Sequence, residues 1–434
     1  MKLWQKGVIS HQKIDSFTVG KDREYDLFLA KYDVLASIAH AQMLGQVGLL
    51  TSEEVNQLVS ELEVIKQHIL EGSFVIEKEF EDVHSKIEFH LTQQLGDVGK
   101  KIHTARSRND QVLVAMHLYL KEEINLIKDA AKKLFDTLLA LANQHKNVLL
   151  PGYTHLQVAM PSSFGLWFSA YAESLIDDVV LMNAAQYMTD QNPLGSAAGY
   201  GSSFPIDRNN TTKALGFSTL KYNVVAAQMG RGKLEKVVAT GMAGIASTLS
   251  RFSMDICLYM SQNFDFIGFP EELTTGSSIM PHKKNPDVFE LIRGKCNALQ
   301  GLPNQLTLMA NNLPSGYHRE MQLFKGPIIE GIEELKACLE MMTFSIKQVI
   351  VKEGITLDEK YDYLFSVDTL NELVNQGVPF RDAYKQVGET IEKGAFKPQR
   401  KLNHTHQGSI GNLCLDEIQE KMNRILKFCC NASF

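Results

Sequence analysis

The sequence predicts an all-α protein: a three-domain subunit whose centre is a bundle of five long helices. Three observations lead there. Apolar residues recur at steps of three and four over stretches far longer than the roughly 11–12 residues of an average globular helix. Alternating strand patterns are scarce. Several long segments, Val237–Ala246 among them, are small and apolar nearly all round, and such a helix has to be covered on every side.

In chain order, residues 1–105 read as a more polar N-terminal helical domain, and residues 106–354 carry the bundle. The first long helix repeats through Leu113, Met116, Leu120, Ile124, Ile127, Ala131, Leu134, Leu138 and Leu141, with Ser107 or Asn109 as its cap. The second spans 162–190 (Phe164, Phe168, Tyr171, Leu175) and the third 234–262 (Leu234, Val238, Ile245, Leu249). The fourth, 287–312, contains Pro303 and should kink there; the fifth runs 328–352. Val148–Tyr153 and Tyr200–Phe204 are the expected extended pieces. Residues 355–434 are broken by Gly377, Pro379, Gly394, Pro398, Gly408 and Gly411, which suggests a small C-terminal helical domain. Copies of the same chain would cover the apolar faces most economically, so a homo-oligomer is expected; an elongated monomer burying them internally is the alternative.

The 434 residues are 44% hydrophobic and 22% charged, ordinary for a globular chain of about two to four domains. A net charge of -6 gives no reason to expect nucleic acid or an anionic membrane as partner. Cys257, Cys296, Cys338, Cys414, Cys429 and Cys430 lack metal-site spacing, so no metal is expected. Cys429 and Cys430 read as apolar residues of a final helix, and free thiols point to a reducing compartment. Met1–Lys6 lacks the apolar core of a leader, and no run reaches the ~20 apolar residues of a membrane span. A cytoplasmic protein is expected.

Polar clusters fall at the ends of the long helices. Thr104–Gln111 offers Arg106 and Arg108 with Asn109, more than a cap needs, and arginine binds carboxylates bidentately. Gly152–Gln157 sets Thr154 and His155 in a loop, where a histidine can exchange protons near neutrality or be merely structural. Gly276–Pro286 holds Ser277, Ser278, Lys283, Lys284 and Asn285 between a glycine and prolines, a shaped loop with amides and cations for an anion. A serine there loses its proton more readily. Glu290 follows in the first turn of the next helix, a carboxylate that would orient His155 if the two met. Asn311–Gln322 and Lys325, with Tyr317 and Gln322, would suit the polar end of a ligand or simply connect helices. In an antiparallel bundle alternate connections lie at opposite ends, so such clusters need not all meet within one subunit, and contacts between copies can bring ends together.

Gly276–Pro286 resembles the signature of the fumarase/aspartase superfamily. Within it, Ser107–Gln111, Gly152–Gln157, Pro281–Asp287, Glu81–His84, Pro193–Ser196 and Val378–Ala383 are similar, in order, to the argininosuccinate lyase family. The resemblance covers about residues 17 to 390. It implies a three-domain helical subunit, a tetramer in which four copies of five helices make a 20-helix core, and active sites built from three subunits. It implies cleavage of argininosuccinate to arginine and fumarate by anti elimination, the last step of arginine biosynthesis, without metal or organic cofactor. Ser277 would be the base. Lys283 and Asn285 would bind the carboxylate on which charge develops, and His155, oriented by Glu290, would protonate the leaving nitrogen. Arg108, Asn109 and Thr154 would hold substrate carboxylates; Tyr317, Gln322, Lys325 and Asp26 match residues at the arginine side.

Four places depart from the family pattern. Asp22 stands where the family has serine, and His282 where glutamine is usual. Tyr-Asn-Lys-Asp reads Tyr317-His318-Arg319-Glu320, and Ser-Asp-Arg-Asp before the third long helix reads Gln228–Lys233. Asp22 and 228–233 bear on amine-side specificity. A sibling fumarate-releasing lyase of adenylosuccinate lyase or aspartase type, a catalytically silent homologue and a generic helical binding protein are the alternatives. The last predicts no convergent polar loops; the silent homologue predicts loss of Ser277, His155 or Lys283, all present.

Overall fold

The computed structural model describes residues 11–428, so the Cys429–Cys430 pair and the Met1–Lys6 start lie outside the described residues. Four helices open the chain: α1 (Gln12–Val19), α2 (Asp22–Gln46), α3 (Ser52–Leu70) and α4 (Val83–Leu95), with the short α5 (Asp97–Lys100) after them. Thr51 and Glu54 form a reciprocal capping box that starts α3. Helices α2, α3 and α4 share a core of their own, including Val34, Leu44, Leu58, Leu62, Val83 and Leu91. The opposite side of α2 puts Leu29 and Tyr32 into the bundle core.

The bundle follows. Helix α6 (Arg108–Gln144) has 37 residues, about 55 Å at 1.5 Å per residue. Its cap is Ser107, one of the two candidates, in a capping box with Asp110. Then come strands β1 (Leu149–Thr154) and β2 (Gln157–Ser163), helix α7 (Phe164–Thr189), strand β3 (Gln191–Asn192), helix α8 (Arg208–Ala214), strand β4 (Thr219–Leu220) and helix α9 (Val224–Gln228). Helix α10 (Lys233–Met260), strand β5 (Ile267–Gly268), α11 (Asp287–Leu299), α12 (Leu302–Met309) and α13 (Lys325–Ile346) complete it. Helix α6 packs on α7, α7 on α10, α10 on α11 and α13, and α13 back on α6. Gly241 lets α10 approach α7 closely, because a Cβ there would meet Met182 Sδ at 2.6 Å.

Three expectations need correction. The fourth long segment is two helices. Pro303, with no N–H to give, lies in the first turn of α12 rather than kinking a continuous helix. Tyr200–Phe204 is not a strand: Gly199 and Gly201 turn the chain at positive φ, and Tyr200 and Phe204 are exposed. The fifth helix ends at Ile346, and Ile350–Val351 is instead strand β6, paired antiparallel with β5. The expected extended piece near Val148–Tyr153 is β1, paired antiparallel with β2.

Past β6, α14 (Ser366–Asn375) and α15 (Phe380–Glu392) enclose a small core of Leu370, Ala383 and Val387. Helix α16 (Leu415–Phe428) returns to the bundle and buries Met422 against it. Among the described residues, no helix is long and apolar enough to cross a membrane.

Candidate active site

At one end of the bundle, α2, the segment before α4, and the starts of α6 and α13 enclose a polar cavity. Arg108 is the first residue of α6, set by the Ser107 cap. Its Nη1 donates to Asp82 Oδ2 at 2.7 Å and lies 3.1 Å from Glu81 Oε2. Arg319 Nη1 donates to the other Glu81 oxygen at 2.7 Å. Asn109 also lines the cavity. Lys325 Nζ donates to Asp26 Oδ1 at 2.5 Å and lies 3.6 Å from Asp22 Oδ1. Asp26 is fully buried beneath Lys325 and accepts the Val83 amide at 3.1 Å. Gln322 Nε2 donates to the Tyr317 hydroxyl at 2.6 Å.

The electrostatics follow from burial and pairing. Burial opposes the charged forms of Lys325 and His84, but Asp26 beside Lys325 and Asp33 beside His84 outweigh it and raise both pKa values. Burial also raises the Asp22 carboxyl, with Lys325 pulling the other way. Asp110 fastens this end together: it accepts the amides of Ser107, Gly195 and Ala197. Arg106, expected beside Arg108 in anion binding, is instead buried and donates to Ser37 Oγ at 2.8 Å.

The other end carries a different group. Strands β1 and β2 form a hairpin whose two turn residues, His155 and Leu156, lie at φ +54° and +57°. That left-handed conformation costs a residue other than glycine of order 1–2 kcal/mol, and such strain gathers at functional sites. Thr154, His155 and Leu156 are exposed, Leu156 at 71%. Tyr153 packs on Phe264 and Phe266, just past α10, so the loop 276–286 leaves from this same end.

A backbone bridge between Thr275 and Asn285 closes the neck of that loop. The Ser277 Oγ accepts the amides of Met280 at 3.2 Å and Ile279 at 3.4 Å. Asn285 Nδ2 reaches Thr275 Oγ1 at 3.4 Å, and Lys284 pairs with Glu271 at 3.0 Å. Lys283 is exposed and forms no ion pair among the described residues. Glu290 sits in the first turn of α11, exposed, with no bond to His155 within the chain. The residues singled out in the sequence thus divide. Asp26, Arg108, Asn109, Tyr317, Gln322 and Lys325 stand at the start of α6; Thr154, His155, Ser277, Lys283, Asn285 and Glu290 stand at its far end, about 55 Å away.

A family model described as "Lyase" matches residues 10–301. The argininosuccinate lyase of Parabacteroides distasonis is 58% identical over 98% of this chain and 95% of its own length. The chain belongs to the argininosuccinate lyase family. The enzyme of that name from Bacteroides thetaiotaomicron is 56% identical over 99% of this chain and 97% of its own. That of Thermotoga neapolitana is 40% identical over 89% and 98%. Among solved structures, EDDS lyase in complex with formate superposes at a TM-score of 0.77, with 21% identity over 98% of this chain and 93% of that one. A fumarate lyase:delta crystallin from Brucella melitensis gives 0.72 at 18% identity over 92% and 90%. At those identities the likeness is one of fold. By the family model and the high-identity relatives the chain is a lyase of the fumarase/aspartase superfamily, and it is mostly helical.

Within this family frame, five cavity residues were not picked as site residues from the sequence: Asp22, Glu81, Asp82, His84 and Arg319. Their signal was present, in the Glu81–His84 string and in two departures from the family pattern. The departure at 228–233 does not line this cavity. Gln228 Nε2 donates to Ser196 Oγ, while Arg231 pairs with Glu235 and donates to the Met321 carbonyl.

Proposed function

We propose that this protein cleaves argininosuccinate to L-arginine and fumarate by anti elimination, the last step of arginine biosynthesis, as a cytoplasmic homotetramer whose active sites are shared between subunits. The division of the candidate residues between the two ends of α6 carries the reading, because a substrate of this size cannot touch both ends of one chain. Neighbouring copies have to bring the ends together. Exposed apolar residues along the long helices, including Leu181, Met254, Leu291, Leu308 and Phe344, support assembly through the bundle.

In this mechanism Ser277 removes the weakly acidic succinyl C–H proton. The amides of Ile279 and Met280 aimed at its oxygen favour the alkoxide form. Lys283 and Asn285 stabilise the dianionic aci-carboxylate that forms. His155, presented at the hairpin tip and oriented by Glu290 after assembly, protonates the departing guanidino nitrogen. Arg108, Asn109 and Thr154 hold the carboxylates, and Tyr317, Gln322 and Lys325 receive the arginine half. Asp26 sets Lys325 in place from below. No step asks for a metal or an organic cofactor.

Incubation with argininosuccinate should release fumarate, read by its ultraviolet absorbance; release from adenylosuccinate or aspartate instead would overturn the substrate assignment. Ser277→Ala and Arg108→Ala should each lower kcat by about 10²–10³ or more. Dissociated and reassembled together, the two inactive variants should regain activity. Some hybrid sites then draw the serine loop from one variant and the arginine from the other. Hybrid tetramers with no regained activity would refute site sharing.

A further inference from the structure

The cavity beside Arg108 continues outward. A second cavity, walled by the α1–α2 turn and by Leu323, shares Asp22, Arg319 and Gln322 with the first. The two make one cleft, with Arg108 and Asn109 at its inner end and the Phe17–Lys21 turn at its outer end. Glu320 lines only the outer cavity and stands exposed, with no ion pair among the described residues. The acids at the inner cavity are committed, with one exception. Glu81 is held by Arg108 and Arg319, Asp82 by Arg108 and the Ser85 hydroxyl, Asp26 by Lys325 and the Val83 amide. Asp22, the first residue of α2, accepts no hydrogen bond among the described residues. Its nearest cation, Lys325 Nζ, is 3.6 Å away and already engaged by Asp26 at 2.5 Å. The carboxylate is only partly exposed, and it sits where the inner and outer cavities join.

A half-buried carboxylate without a committed donor calls for a cation from the ligand. In argininosuccinate the guanidino nitrogen carries the succinyl group, so it lies at the reacting end with the carboxylates that Arg108 and Asn109 are proposed to hold. The free cation of the molecule is then the α-ammonium of the arginine half, several bonds outward along the cleft. We propose that Asp22, where the family pattern has serine, receives that α-ammonium and makes this chain select ligands with a free amine; this rests on the argininosuccinate reading of the same site. An N-acylated amine is neutral and has a single N–H. It would bring bulk into the cleft and leave Asp22 unpaired.

The test compares L-arginine with Nα-acetyl-L-arginine on the intact oligomer, by calorimetry and by inhibition of fumarate release. The wild type should bind L-arginine at least about tenfold more tightly, the scale of one charge-assisted hydrogen bond. Asp22→Asn and Asp22→Ser should erase most of that preference and raise KM for argininosuccinate by about the same factor, with kcat held within about threefold. Inhibition by fumarate should not change. A merely structural Asp22 would weaken fumarate and arginine alike and leave the ratio between the two arginine ligands intact. Equal binding of the two by the wild type, or an unaltered preference in both variants, would overturn the proposal. If the wild type released no fumarate from argininosuccinate, the parent reading would fail, while calorimetry with L-arginine would still decide the role of Asp22.

Discussion

At the cavity end of the bundle, Asp26, Glu81, Asp82, Arg108 and Lys325 hold one another in fixed pairs. At the hairpin end, His155 and Lys283 stand exposed with no ion pair among the described residues, beside apolar tips at Leu156 and Ile279. The first group is organised before any ligand arrives, and its desolvation is already offset within the chain. The second has little to organise it until something packs on it. The contrast fits a site in which one subunit offers a rigid receptor and its neighbours deliver the reactive groups.

The same substitution at each end gives the sharpest test of that contrast. Lys325→Met removes one partner of a buried pair and leaves Asp26 charged and enclosed, a change that costs about 3–5 kcal/mol. Lys283→Met removes a solvated charge and should move stability by no more than about 0.5 kcal/mol. Denaturant unfolding at one fixed protein concentration reads both values. Equal losses in the two variants would show that the ends do not differ in preorganisation.

Acid should strike the cavity half of the molecule. His40 and His117 are buried and neutral, each donating a ring N–H to a carbonyl, of Thr104 and Thr189 respectively. Burial lowers His40 to about 3 and His117 to about 4. The unfolded chain binds protons at these residues below about pH 6.5 while the folded one does not. Their stabilisation is therefore complete above pH 6.5 and is lost as pH falls toward 4. Between pH 6.5 and 5 each should account for about 2 kcal/mol. His117→Gln keeps a donor for Thr189 but cannot titrate, so its stability should fall less steeply over that interval. A slope identical to the wild type would mean that His117 is protonated in the fold.

Periodicity made the long helices legible, because each buries a continuous stripe over many turns. It misread the places where a local signal had two meanings. Pro303 serves equally to kink a helix or to open one, and only the break at Gln300–Gly301 distinguishes them. Strand β2 went unread because Met160-Pro161-Ser162-Ser163 looks like the approach to a helix cap, which Ser163 also is. The reactive residues were legible as motifs, being contiguous. The closure of Glu81 and Arg319 around Arg108 was not, since it joins three segments separated by many residues and leaves no local pattern. Bundle topology, rather than any motif, separates Arg108 from Ser277.

A small effect is expected at the hairpin tip, and it bears on why the turn is built as it is. Two-residue hairpin turns with both φ values positive favour Asn-Gly, yet here they carry His155-Leu156. Leu156 is 71% exposed, so replacing it removes little burial within the chain. Leu156→Gly should relieve left-handed strain and, after the entropy that glycine adds to the unfolded chain, change stability by about 1 kcal/mol or less, in the stabilising direction. The same freedom would loosen the direction in which His155 points, and with it lower kcat while leaving KM close to its original value. Thermal unfolding and steady-state rates separate the two consequences. A destabilised variant would show that the left-handed turn is not strained and that Leu156 is held by packing, which would in turn place the hairpin tip against a neighbouring subunit.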